Sequence, residues 1–212
     1  MTNQEILSHI DHTALKAVSA WEDIYKLCEE ALCYKTASVC IPPCYVKRAG
    51  EQFPALNICT VIGFPLGYNA APIKKAEAAL AIENGASEID MVVNLCDLKN
   101  KNFDNICAEI SALREICGKK ILKVIVETCY LNRDEKIALC KIVTEAKADF
   151  IKTSTGFGTG GAEREDIELF KQHIGGSVKI KASGGIKTRK DMEDFLALGC
   201  ERLGTSSASV LF

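Results

Sequence analysis

The chain has 212 residues, 48% of them hydrophobic, which is enough to bury a sizeable core and suits one domain, 1–212, better than two. Its 26 basic and 28 acidic side chains are spread without long single-sign blocks, and this excludes the electrostatic footprint of a protein that binds nucleic acid or an anionic membrane. No apolar stretch approaches the roughly 18 residues of a membrane span, and the start "MTNQEILSHIDHT" lacks the basic-then-apolar order of a signal peptide, so the expected setting is cytoplasmic and the expected partner a small molecule.

In chain order, eight short β-branched runs alternate with helical patterns: "HIDHT" (9–13), "ASVCI" (37–41), "ICTVIG" (58–63), "EIDMVV" (88–93), "ILKVIVE" (121–127), "FIKTS" (150–154), "VKIKAS" (178–183) and "RLGTS" (202–206). Each gap is long enough for a crossover. Ser19-Ala20-Trp21-Glu22 reads as a capping box opening a helix with apolar Trp21, Ile24, Leu27 and Leu32, and the pairs Asn132/Glu135 and Thr188/Asp191 repeat that start signal. The joints repeat too. "ENGASEIDMV", "TEAKADFIKT" and "ALGCERLGTS" each leave a helix, pass through small residues and an acid, and enter a strand. Eight alternations with similar joints predict a parallel sheet closed into a single (β/α)8 TIM barrel, not an open doubly wound sheet.

Eleven cysteines are an odd number without a C-x-x-C, and Cys28, Cys107 and Cys140 sit at helical core spacing. In a reducing compartment they act as small hydrophobes. Cys40 and Cys96 lie nearer strand ends, where a thiol nucleophile is the alternative.

Barrel chemistry gathers at the carboxyl ends of the strands. There the sequence places Asp11 and Thr13 on the first run, Asp90 and Asn94 on the fourth, Glu127 on the fifth, Lys152 and Ser154 on the sixth, and Lys181 and Ser183 on the seventh. Strand alternation puts Asp90, Val92 and Asn94 on one face, and Phe150, Lys152 and Ser154 on one face. A single strand-end lysine usually snorkels to solvent. Two lysines and an aspartate within apolar runs are a costly decoration for a core, and they point to function.

A second ammonium about 4 Å from a lysine, at an effective dielectric near 20, adds about 4 kcal/mol of repulsion, a roughly thousandfold change in its protonation equilibrium. That would make a nucleophilic amine accessible near pH 7. Lys152, among the uncharged "FIKTST", is the expected nucleophile; Lys181, with Lys179 two residues back on the same face, is the expected cation, and Asp90 its partner and proton relay. The glycine loops "GFGTGGA" (156–162), "SGGIKT" (183–188) and "GTSSAS" (204–209) follow the last three strands, where barrels hold phosphate on backbone N–H groups and a short extra helix, here "SSASVLF"; Lys187 adds charge. No Walker A or G-x-G-x-x-G follows a strand, and His9 and His12 fall on opposite faces, so neither nucleotide nor metal is expected.

Through "IDHTALK", "SVCIPPCYV", "EIDMVVN", "LKVIVET", "ADFIKTSTGF", "VKIKASGGIKT" and "RLGTSS", essentially the whole chain resembles the deoxyribose-phosphate aldolases, class I Schiff-base aldolases on a TIM barrel. The resemblance implies Lys152 as the Schiff-base lysine, Lys181 as the lysine that lowers its pKa, and Asp90 as the relay. It also implies Asp11, Thr13, Cys40 and Lys123 as pocket residues, and Gly156, Gly184, Gly185, Gly204, Ser206 and Ser207 as phosphate-binding positions. The implied reaction is reversible cleavage of 2-deoxy-D-ribose 5-phosphate to acetaldehyde and D-glyceraldehyde 3-phosphate, with no cofactor and no metal. A homodimer or higher homo-oligomer is compatible with it. Two departures stand out: the chain stops at Phe212, without the tyrosine-ended tail of some members, and Lys187 replaces their arginine, giving a point charge in place of a bidentate fork. The rival readings are a Schiff-base barrel aldolase for another sugar phosphate and a non-catalytic sugar-phosphate-binding barrel, against which the intact Lys152, Lys181 and Asp90 set argues.

Overall fold

The alternating runs become eight strands in a computed structural model that describes residues 1–212. They are β1 (Ile10–Thr13), β2 (Ser38–Ile41), β3 (Ile58–Ile62), β4 (Glu88–Val92), β5 (Ile121–Ile125), β6 (Phe150–Lys152), β7 (Lys179–Ser183) and β8 (Arg202–Thr205). All pair in parallel in chain order, and β1 closes on β8 through Asp11 opposite Gly204. The expected (β/α)8 barrel is the observed fold.

Nine helices accompany the strands: α1 (Asn3–Leu7), α2 (Trp21–Tyr34), α3 (Val46–Gln52), α4 (Ala71–Glu83), α5 (Leu95–Lys99), α6 (Phe103–Cys117), α7 (Arg133–Glu145), α8 (Arg164–His173) and α9 (Arg189–Ala197). None is long and apolar enough to cross a membrane. The start signals of α7 and α9 are real capping boxes. Asn132 Oδ1 accepts from the Glu135 N–H at 3.0 Å and Glu135 returns the bond at 2.8 Å, while Thr188 and Asp191 do the same at 3.1 and 2.8 Å. At α2 the box slips by one residue: Ala20 is the N-cap and Asp23 accepts from its N–H at 2.8 Å, which leaves half a box because alanine has no acceptor. That helix buries Ile24, Leu27, Cys28 and Ala31, and the 100° step turns Leu32 outward to 41% exposure.

The repeated joints also have a physical cause. Gly85, Lys147 and Gly199 occupy the same place after α4, α7 and α9, at φ of 106°, 56° and 100°, so each helix stops in a left-handed residue before its strand begins. The small residue that follows, Ala86, Ala148 or Cys200, is buried.

The apolar core lies between sheet and helices. Outward-facing Ile89, Met91, Val124, Ile151, Ile180 and Leu203 belong to it, packed against helix residues such as Ile110, Leu139 and Phe170. One buried ion pair crosses this layer. Lys74 on α4 reaches Glu109 on α6 at 2.9 Å and donates to the Val92 carbonyl at 2.9 Å, tying both helices to the end of β4.

Candidate active site

With the apolar side chains turned outward, the strands point a charged set into the barrel, where such folds usually hold branched aliphatic residues. Register aligns Asp90 with Lys123 and Lys152 with Lys181. Asp90 is the hub. Its Oδ2 accepts from Lys152 Nζ at 2.8 Å and from Lys181 Nζ at 2.7 Å, and its Oδ1 from Lys123 Nζ at 2.8 Å and Cys59 Sγ at 3.1 Å. Because Lys152 and Lys181 share one oxygen, their nitrogens lie no farther apart than the sum of those two bonds, 5.5 Å.

A second carboxylate completes the ring. Asp11 bonds Lys181 and Arg202, accepts from Ser38 Oγ at 2.7 Å and lies 3.6 Å from Lys123. Beneath it, Glu88 contacts Lys123 at 2.5 Å and Arg202 at 2.9 Å.

Burial would by itself raise the Asp11 and Asp90 carboxyls, but the surrounding cations outweigh it and hold both below the usual carboxylate range. The same contest runs in reverse at Lys123 and Lys181: burial pulls their ammonium groups down, while Asp11 and Asp90 prevail and hold them above the ordinary lysine value. Both are therefore fixed cations. Lys179 shares the face of Lys181, as alternation requires, but it stands at the opposite, solvent-exposed end of the strand, beside the Phe150 ring and paired with Glu201 at 3.1 Å, so it adds no charge next to Lys181.

Above this network opens a cavity of about 1050 Å³ at the carboxyl ends of the strands. Lys152 lines it, 3% exposed, and is the one member of the charged network that does so. Thr13, Gly156, Gly184, Gly185, Lys187, Gly204, Ser206 and Ser207 line the same cavity, so the three glycine loops converge on the Lys152 side chain. Gly184 and Gly185 stand at φ of 85° and 80°, conformations that L side chains rarely adopt. The extra helix is one short 3-10 turn, Ala208–Leu211.

Asp11, Lys123 and Cys40, expected at the pocket, lie below its floor, fully buried. Cys40 pairs in register with Cys59, whose hydrogen bond holds the Cys40 thiol below its usual value, whereas burial pushes the Cys59 thiol well above. Gly204 has a role beyond the loop: a Cβ there would come within 2.9 Å of Ser183 Cβ and 3.2 Å of Lys181 Cε, so its missing side chain makes room for Lys181.

Several strand-end residues are used elsewhere. Asn94 is not in β4 but caps α5, accepting from the Cys96 N–H at 3.0 Å; Cys96 itself is exposed. Glu127 binds Thr155, and Ser183 donates to the Ser154 carbonyl at 2.5 Å. His12 turns outward to Glu30 at 2.9 Å, and the His9 ring meets the Glu201 carbonyl at 2.9 Å. Cys28 and Cys140 are buried with thiols pushed up to about 12 by desolvation. Glu88, Arg202 and Cys59 were not singled out in the sequence, although Glu88 and Arg202 occupy equivalent positions in the repeated joints, three residues after the left-handed turn.

A polar cavity over the carboxyl ends of a (β/α)8 barrel, with an amine at its floor, is the arrangement of a barrel enzyme for a small polar substrate. A family model described as "DeoC/LacD family aldolase" matches residues 6–205, and the chain belongs to that family and is an aldolase, a carbon–carbon lyase. It is 60% identical over 98% of its length, and 95% of the relative's, to a deoxyribose-phosphate aldolase of Clostridium botulinum. Among solved structures it resembles "QR15, an Aldolase" at 37% identity, a TM-score of 0.93 and coverage of 96% and 92% of the two chains. It also resembles the tetrameric deoxyribose phosphate aldolase of Aeropyrum pernix at 29% identity, a TM-score of 0.92 and coverage of 99% and 90%.

Proposed function

We propose that the chain reversibly cleaves 2-deoxy-D-ribose 5-phosphate to acetaldehyde and D-glyceraldehyde 3-phosphate through a Schiff base on Lys152. The observation that carries this reading is the position of Lys152, the one member of the interior charge network at the cavity surface, sharing an Asp90 oxygen with a fixed cation. The names of its relatives support the substrate.

In the cleavage direction, the Lys152 amine adds to the C1 carbonyl of the open-chain sugar, and loss of water gives an iminium. Its positive nitrogen draws electrons from the C2–C3 bond, which breaks as the C3 hydroxyl gives up its proton and becomes the aldehyde of D-glyceraldehyde 3-phosphate. The enamine left on Lys152 takes a proton at C2, and water then releases acetaldehyde. Asp90 rests ionised and balances the iminium charge; taking up a proton only transiently, directly or through water, it carries the proton lost by the C3 hydroxyl to C2 of the enamine. Asp11, Thr13, Cys40 and Lys123 shape the pocket and its floor. A homo-oligomer and a cytoplasmic setting go with this reading.

Acetaldehyde with borohydride should add an ethyl group to Lys152, read as a mass shift on its peptide; a label mainly on Lys181 or surface lysines would sink the assignment.

The phosphate falls to Gly156, Gly184, Gly185, Lys187, Gly204, Ser206 and Ser207, which share the Lys152 cavity. 2-Deoxyribose 5-phosphate should be cleaved far better than 2-deoxyribose, because remote binding energy positions the reacting carbonyl. Lys187→Met should reduce that preference about tenfold, the value of one charge-assisted contact, with acetaldehyde trapping unchanged. Steady-state kinetics on both sugars decides this, and an undiminished preference in the variant would place the phosphate away from Lys187. Lys187 is the better probe than Gly204, where any side chain also displaces Lys181.

A further inference from the structure

The charged groups that face the barrel interior are Asp11 on β1, Glu88 and Asp90 on β4, Lys123 on β5, Lys152 on β6, Lys181 on β7 and Arg202 on β8. β2 and β3 add Ser38 and the thiols Cys40 and Cys59. With every charged group ionised, four cations face three carboxylates, and when Lys152 is a neutral amine the two signs balance. Two members of this set, Glu88 and Arg202, sit beneath the reacting layer and do not line the cavity, yet they belong to the same chain of contacts.

We propose that Glu88 and Arg202 are positioning residues whose charges fix the pH range over which Lys152 forms its Schiff base. The inference rests on the Schiff-base reading above. Glu88 connects to Lys152 through Lys123 and Asp90 by contacts of 2.5, 2.8 and 2.8 Å. Removing a unit charge at roughly 10 Å, at an effective dielectric near 20, moves a protonation equilibrium a little over tenfold, about one pH unit. Salt screens such buried charges only weakly. The sign follows from the charge removed. Loss of the Glu88 carboxylate disfavours an ammonium at Lys152, so the amine persists to lower pH. Loss of the Arg202 guanidinium favours the ammonium, so higher pH is needed. After either change the neighbours keep partners: Lys123 retains Asp90 and Asp11, Arg202 retains Asp11, and Glu88 retains Lys123.

The test measures kcat/KM and the rate of acetaldehyde–borohydride trapping against pH. Glu88→Gln should move the acid limb of both profiles down by about one pH unit, and Arg202→Met should move it up by about one. The double variant should return near the parent midpoint. Either single variant suffices if the other does not fold, because the shifts have opposite signs, and Arg202→Lys should keep the parent midpoint. Activity loss with unmoved midpoints, or shifts of the same sign, would overturn the proposal and leave both residues as packing elements. The label site separates this from the parent reading: if the ethyl group in the unaltered protein lies on another lysine, the Schiff-base assignment fails first. If it lies on Lys152 and the midpoints stay still, only this inference fails.

Discussion

Replacing Lys152 with methionine should lower turnover by about 10⁴-fold or more and abolish borohydride trapping, while the protein stays folded. The first part follows from chemistry: methionine can form no iminium, and no other amine of the interior reaches the cavity. The second follows from the network. Asp90 keeps Lys181, Lys123 and Cys59 as donors when Lys152 is gone, so no buried carboxylate is orphaned, and three cations then face three carboxylates. Breaking a buried pair costs about 3–5 kcal/mol when it strands a charge, and here it does not. Thermal unfolding within a few degrees of the parent, with activity lost, is the expected combination. Residual turnover within tenfold of the parent would remove Lys152 from the mechanism.

Lys181→Leu should cost up to about a thousandfold in activity at pH 7 and recover partly as the pH rises. Lys181 is held above the ordinary lysine value by Asp11 and Asp90 against the pull of burial, so it stays an ammonium throughout the assay range and its own titration does not shape the parent profile. Its removal leaves three interior cations for three carboxylates only if Lys152 keeps its proton, and a protonated Lys152 cannot attack a carbonyl. Raising the pH withdraws that proton and restores the nucleophile. Asp11 retains Ser38 and Arg202, and Asp90 retains Lys123, so part of the loss is repaired without Lys181. Equal loss at pH 7 and pH 9, with the label still on Lys152, would mean that Lys181 acts by shape and not by charge.

The geometry also revises the electrostatic argument that pointed to these lysines. From sequence, two cations near each other oppose a second proton. In the barrel the two ammonium groups share one Asp90 oxygen, and the proposed proton balance at Lys152 rests on the whole interior set of four cations and three carboxylates, Glu88 and Arg202 included. The supposed help from Lys179 fails because a strand residue two positions earlier lies at the far, solvent-exposed end of a barrel only a few residues tall.

What was legible in the sequence was what neighbours along the chain decide. Period-two runs, helix caps at Asn132 and Thr188, and the repeated left-handed joints are set by contacts within a few residues, so they mark the strands and the barrel, and they place Asp90, Lys152 and Lys181 at its carboxyl end. The slip at α2 shows the limit even there, since Ser19 and Ala20 differ by one step of helix register. Tertiary structure alone decided which polar residues meet. Arg202 finds Glu88 across 114 residues of chain, Lys123 finds Cys59 across 64, and Lys74 finds Glu109 across 35. Local periodicity carries no record of such pairs, because barrel closure and strand register bring them together, and their charges count only once water has been excluded from between them.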